Sequence, residues 1–182
     1  MNSRFATETS LAPQRPALAP AIVLGVGFGG FLDGIVMHQL LQWHHMVSAK
    51  GCCPATSLAG LEDNTLADGV FHAVAWLVAF AGSLLVVRAW RQGRLAPPWL
   101  AHAGALLTGW GIFNLLDSLN HFVFGLHHIR DDLGGPLGWD LGFLAFALAL
   151  IAVGATIVRA ALRRPGRLAP PARRTPPAPP AP

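Results

Sequence analysis

Charged side chains are scarce in this chain. Asp, Glu, Lys and Arg make up 12% of 182 residues, whereas hydrophobic residues make up 53% and the mean hydropathy is +0.46. A soluble domain carries roughly a quarter charged residues, so an ordinary water-facing surface is excluded and a membrane class is expected. Cysteine is limited to the adjacent pair Cys52 and Cys53, which rules out a disulfide framework and a Cys-x-x-Cys motif. The pair reads as an incidental loop feature; a vicinal disulfide, a bridge to a partner, or thiolate ligation of copper or zinc are the alternatives. No Gly-x-Ser-x-Gly, P-loop or His-Glu-x-x-His motif is present, so hydrolase and nucleotide readings have no support. Gly25-Val-Gly-Phe-Gly-Gly30 matches a dinucleotide fingerprint only formally, because it lies inside a hydrophobic run with no preceding strand. Its small residues instead suit close helix approach. The net charge of +4 and pI near 10.5 do not point to nucleic acid, since the basic residues form no stripe interleaved with aromatics. The first hydrophobic run is too long for a signal peptide and is expected to stay as the first span.

Hydrophobic segments are what the chain has in abundance. The expected fold is an all-α integral membrane four-helix bundle. Its spans lie at about residues 21–43, 67–89, 99–122 and 137–160, within a transmembrane domain of residues 21–160. At ~1.5 Å per residue each crosses a hydrocarbon core of ~30 Å. Residues 1–20 and the Pro/Arg-rich residues 161–182 are expected to be disordered tails. With four spans, the two tails and the middle loop share one side and hold eleven arginines; the other side holds only Lys50 and Arg130. That asymmetry places both termini in the cytoplasm. Trp90 and Trp99 then flank the inner interface, and Trp43 and Trp139 the outer one.

The polar residues inside these spans are the candidates for function, because ionisable groups at membrane depth are costly. Asp33, His38, His44 and His45 end the first span; Asp68 and His72 open the second; Asp117, His121, His127 and His128 end the third; Asp140 opens the fourth. All meet at the outer face, leaving His102 at the inner one. The histidines of the two halves match at an offset of 83 and Asp33 and Asp117 at 84. A parallel duplication of a helix hairpin, with one insertion, accounts for this. Asp68-Gly-Val-Phe71 matches Asp140-Leu-Gly-Phe143 less closely, and Leu144 stands where a second His72 would be. Helical spacing sets Asp33 with His44, and Asp117 with His128, on shared faces, and pairs Asp68 with His72 and Asp117 with His121 at i,i+4. Imidazole with carboxylate suits copper, zinc or iron. The expected metal ligands are Asp33, His38, His44, His45, Asp68, His72, Asp117, His121, His127 and His128. Haem ligation and a proton relay are alternatives, as is a membrane oxidoreductase with a di-metal site, although the His-x-x-x-His and His-x-x-His-His runs of di-iron membrane enzymes are absent.

Gly27-Phe-Gly-Gly-Phe-Leu-Asp33-Gly34, His38-Gln-Leu-Leu-Gln-Trp-His44-His45-Met46, Ala67-Asp-Gly-Val-Phe-His72-Ala73, Asn114, His127-His-Ile-Arg130 and Trp139-Asp-Leu-Gly-Phe143 form an ordered set. On these motifs the chain resembles the predicted bacterial membrane proteins grouped as domain of unknown function 2243, over about residues 21–160. The resemblance implies a small four-span protein of the inner membrane and brings no established activity. It also implies a link to neighbours that assemble copper-containing cytochrome oxidases, which favours copper among the metals and a respiratory-complex assembly partner. The glycine pairs allow a homo-oligomer as the other expected partner besides lipid.

Overall fold

The computed structural model describes residues 16–163 except 50, 52, 96 and 97. The expected tails therefore lie almost wholly outside the described residues, as do Arg4, Arg15, Lys50, Cys52 and the arginines beyond Arg163. Every regular element among the described residues is helical. Helix α1 spans Ala19–Asp33 and runs on as a π-helical segment, Gly34–Leu40. Helix α2 spans Leu58–Arg91. Helix α3, Trp99–Leu119, also runs into a π-helical segment, Asn120–Phe124, and α4 spans Pro136–Leu162.

The helices start where local chemistry favours it. Ser57 caps α2 by accepting the Gly60 N–H at 3.1 Å, and Pro136, with its fixed φ, begins α4. The Ser57 cap starts α2 nine residues earlier than hydropathy suggests. Asn64 braces this polar extra stretch by donating to the carbonyls of Gly60 and Cys53 at 2.9 and 2.7 Å. Helices α1, α2 and α4 are long and apolar enough to cross a membrane. Helix α3 is more polar, with Asn114, Asp117 and Ser118 all buried. It packs between α1 and α4, so fewer of its side chains need to face lipid.

Packing runs α2 on α1, α1 on α3, and α3 on α4. The outer helices expose Leu66, Val70, Leu77, Phe80, Leu141, Leu148 and Val153, while the buried side chains are mostly Ala, Asp, His and Asn. This inversion of the soluble pattern is what a lipid solvent demands.

Glycines set the helix spacing, and they do so twice. A Cβ on Gly25 would strike the Leu106 carbonyl, and one on Gly109 would strike the Ile22 carbonyl. Gly25 is related to Gly109, and Ile22 to Leu106, by an offset of 84. Gly27 admits the α2 backbone at Ala79, and Gly111 admits α4 at Ile151; Gly82 seats Leu24, and Gly154 seats Thr108. The first helices of the two hairpins thus match at 84 and the second helices at 72. The duplication read from the histidines extends through the whole bundle, about an axis between α1 and α3.

Gly109→Ala should cost about 1–3 kcal/mol, because a methyl group there meets backbone that cannot turn aside. Gly69→Ala, whose new Cβ meets nothing within 4 Å, should be neutral or slightly stabilising. Thermal unfolding of both variants in the same detergent checks the contrast.

Candidate metal centre

The first turns after α1 and α3 bring the histidines together. Each helix ends in a π-helical segment, a geometry that recurs at functional sites. Each is then turned by a residue in the left-handed region: Gln42 (φ 50°) in one half and Gly125 (φ 56°) in the other, at the same offset of 83 as the histidines. For Gln42 this backbone costs roughly 1–2 kcal/mol. The chain then folds back over the helix ends, and the two return segments bond to each other. Arg130 N–H donates to the Trp43 carbonyl at 2.9 Å, and Ala49 N–H to the Leu126 carbonyl at 3.1 Å.

His44, His45, His127 and His128 therefore lie on return segments and not on the helices. This corrects the helical-face spacing. His44 reaches Asp33 by chain reversal, with Nε2 3.9 Å from Oδ2. His128 does not share a face with Asp117 at all; its Nδ1 donates to Asp140 at 2.7 Å. The Asp117–His121 pair holds, at 3.5 Å. In the Asp68–His72 pair the histidine uses the Asp68 backbone carbonyl at 2.8 Å, leaving the carboxylate free to reach across to α1.

Two carboxylates organise the cluster from behind. Asp68 accepts from His38 Nδ1 at 2.7 Å, His45 Nδ1 at 3.0 Å and the Met46 N–H at 2.9 Å. Asp140 does the same in the other half. It accepts from His128 Nδ1 at 2.7 Å and the Ile129 N–H at 3.0 Å, and its Oδ1 lies 3.0 Å from His121 Nδ1, off the line of a hydrogen bond. His127 Nδ1 donates to the Met46 carbonyl at 3.1 Å. Carboxylates and carbonyls only accept, so Nδ1 of His38 and His127 carries a proton, and in the neutral imidazole Nε2 keeps its lone pair. Phe71 stacks on His38 at 5.5 Å, and Phe143, at an offset of 72, lies tilted against His121 at 5.3 Å.

The inward atoms are the unusual ones. His38 Nε2 faces Asp33 Oδ2 at 3.4 Å, and His121 Nε2 faces Asp117 Oδ2 at 3.5 Å. His127 Nε2 lies 3.8 Å from Asp117 Oδ1. Nε2 of His44, His121 and His127 and Oδ2 of Asp117 are buried with no hydrogen-bond partner among the described residues. Lone pair facing lone pair in a buried site is unfavourable unless a cation lies between. A tetrahedral ion with bonds of about 2.0–2.2 Å holds its ligand atoms about 3.3–3.6 Å apart, close to these separations. Two groups have the required proximity: His44, Asp117, His121 and His127, and Asp33, His38 and His44, each with ligand atoms within 4.8 Å of one another. Burial, then the neighbouring His127 and His38, push the His44 imidazole well below its usual range, which keeps it neutral and able to ligate.

Of the ten expected ligands, six thus converge. His45 and Asp68 stand behind them as orienting groups, and so does His128. His72 lies to one side, its Nε2 buried against Gly34. Asp140 completes the second half, although the i,i+4 criterion passes over it because Leu144 follows. The signal that marks it is the shared offset of Asp68 to Asp140 and Phe71 to Phe143.

These features define an α-helical integral membrane protein with a buried His/Asp cluster at one end of two fused helix hairpins. Residues 20–161 match the family described as "Predicted membrane protein (DUF2243)", and the chain belongs to that family. No curated protein and no solved structure matches it.

Removing an orienting carboxylate should expose its importance directly. Asp140→Ala leaves the buried Ile129 N–H unpaired, at about 1–3 kcal/mol, and removes the partner of the half-buried His128 N–H. Its unfolding midpoint should fall well below that of Asp63→Ala, where the exposed carboxylate makes no comparable contacts.

Proposed function

We propose that this protein binds transition-metal ions within the bundle, for metal handling or a redox-linked role. Asp33, His38 and His44 supply one group of ligands. Asp117, His121 and His127 supply the other, and His44 lies within reach of either group. Asp68, Asp140, His45 and His128 orient the ligands from behind. Such partners commonly contribute 10–100-fold to metal affinity. The observation that carries this reading is the set of buried Nε2 and carboxylate atoms that lack hydrogen bonds and face one another. The donor set suits copper, zinc or iron, and the near-twofold arrangement suits two ions. The rings of His38 and His44 meet at 4.4 Å and those of His44 and His127 stack at 4.5 Å. That spacing fits small shared ions and leaves no gap between those rings for a porphyrin.

All four helices are taken as spans. The arginine asymmetry supports cytoplasmic termini and a centre facing the periplasm or exterior of an inner membrane. A reporter active only in the cytoplasm, fused after Pro182, should be active; an inactive fusion reverses the orientation.

Metal analysis of protein purified without a histidine tag or chelator tests the main reading. Wild-type protein should carry up to two ions. His38→Ala should lose one ion, and His44→Ala should weaken whichever ion it ligates. Metal-free wild-type protein that stays metal-free on titration with copper, zinc and ferrous iron overturns it, and shifts the alternating Asp and His chain towards proton transfer.

A further inference from the structure

Beside the histidine cluster lies a cavity of about 710 Å³ between α1, α3 and α4. This falls within the usual range for small-molecule sites, roughly 300–1,000 Å³. Its walls are aromatic: Trp43, Trp110, Trp139 and Phe143 line it. Trp43 and Trp139 meet at 5.8 Å, and Trp139 is exposed.

The space exists because α4 presents glycine twice, one turn apart. Gly138 and Gly142 both line the cavity, and a Cβ added to either meets nothing within 4 Å. At the corresponding positions of α2, an offset of 72 away, stand Leu66 and Val70. Likewise Trp139 corresponds to Ala67, and Trp110 and Asn114 correspond to Val26 and Gly30 at the α1–α3 offset of 84. The glycines and tryptophans of the cavity, with Asn114, are thus positions at which the two repeats differ, whereas Asp33 and Phe143 have counterparts in Asp117 and Phe71.

Two polar side chains line this apolar space. Asn114 is 2% exposed and stands in the cavity wall. Asp33 turns Oδ2 towards His38 and His44, while its other carboxylate oxygen takes no hydrogen bond among the described residues. A ligand for this site needs a flat ring to lie between tryptophans. It needs an apolar body able to enter from the bilayer, and ring oxygens to pair with an amide and a carboxylate. A carboxylate only accepts, so the ring oxygen beside Asp33 should carry a hydrogen.

We propose that the cavity binds a membrane-soluble quinol, its hydroxyl groups engaging Asp33 and the Asn114 amide and its ring held among Trp43, Trp110 and Trp139. The site is separate from the metal reading except through Asp33, and binding does not require an ion in the histidine cluster.

Titration calorimetry of the full-length protein in detergent, with a decyl-chain benzoquinol as probe, tests this. Saturable one-site binding is expected, with the oxidised quinone at least about tenfold weaker because its carbonyl opposes Asp33. Gly142→Phe fills the cavity and should abolish binding; Gly138→Phe serves the same purpose if the first variant fails to fold. Asn114→Leu should weaken binding by about tenfold or more, the scale on which a site that hydrogen-bonds its ligand discriminates. Metal content measured on the same variants should stay at the wild-type level. This separates failure of the quinol site from failure of the metal reading. The proposal is overturned by non-saturable heat, by equal binding in the folded variants, or by decylbenzene binding as tightly as the quinol. The last result would mean that an acyl chain fills the cavity.

Discussion

A buried carboxylate that cannot reach water must be satisfied by the protein, and in this bundle Asp68 and Asp140 do the most with that requirement. Each sits on the second helix of a hairpin. Each reaches across to the end of the first helix and accepts an imidazole Nδ1–H and a backbone N–H from the segment that folds back; Asp68 also accepts from His38 on the helix itself. One side chain thus fixes a helix pair, a chain reversal and the tautomer of a histidine. In an apolar surrounding these bonds have few competitors, so the geometry they impose is firm. The inward-facing Nε2 atoms follow from it.

The duplication explains how the cluster comes to be two-sided, and the π-helical segments explain its one irregularity. Asp33 and His38 are five residues apart, whereas Asp117 and His121 are four apart. Yet the contacts measure 3.4 and 3.5 Å. In the first half the π-helix begins at Gly34, immediately after the aspartate, and its wider turn absorbs the extra residue. In the second half the π-helix begins later, at Asn120. The change from an offset of 84 to 83 is therefore one residue taken up by helix type, with the site conserved in shape.

Symmetry holds for the His/Asp cluster and for the glycine contacts between helices. It fails at the cavity, where glycines and tryptophans replace aliphatic and small residues. Packing constraints act equally on both halves, so a difference of this kind points to something bound on one side only. Asp33 belongs to both regions, which places the cavity directly against the cluster.

Much of this was legible from the residues. Hydropathy identified the helical membrane class, because apolar length and backbone satisfaction are local properties of a helix in lipid. The repeated Asp and His pattern identified most of the cluster, because buried ionisable groups are too costly to be incidental. The periodic argument failed at His44, His45, His127 and His128. Linear spacing presumes that the helix continues, and it ends at Leu40 and Phe124. Which side chains face inward was decided by tertiary structure alone. Asp68 turned out to orient and not to face inward, Asp140 joined it, and Asn114 was left facing a cavity. Each outcome depends on which groups the chain reversals bring within hydrogen-bond reach, and that distance is not encoded in any one helix.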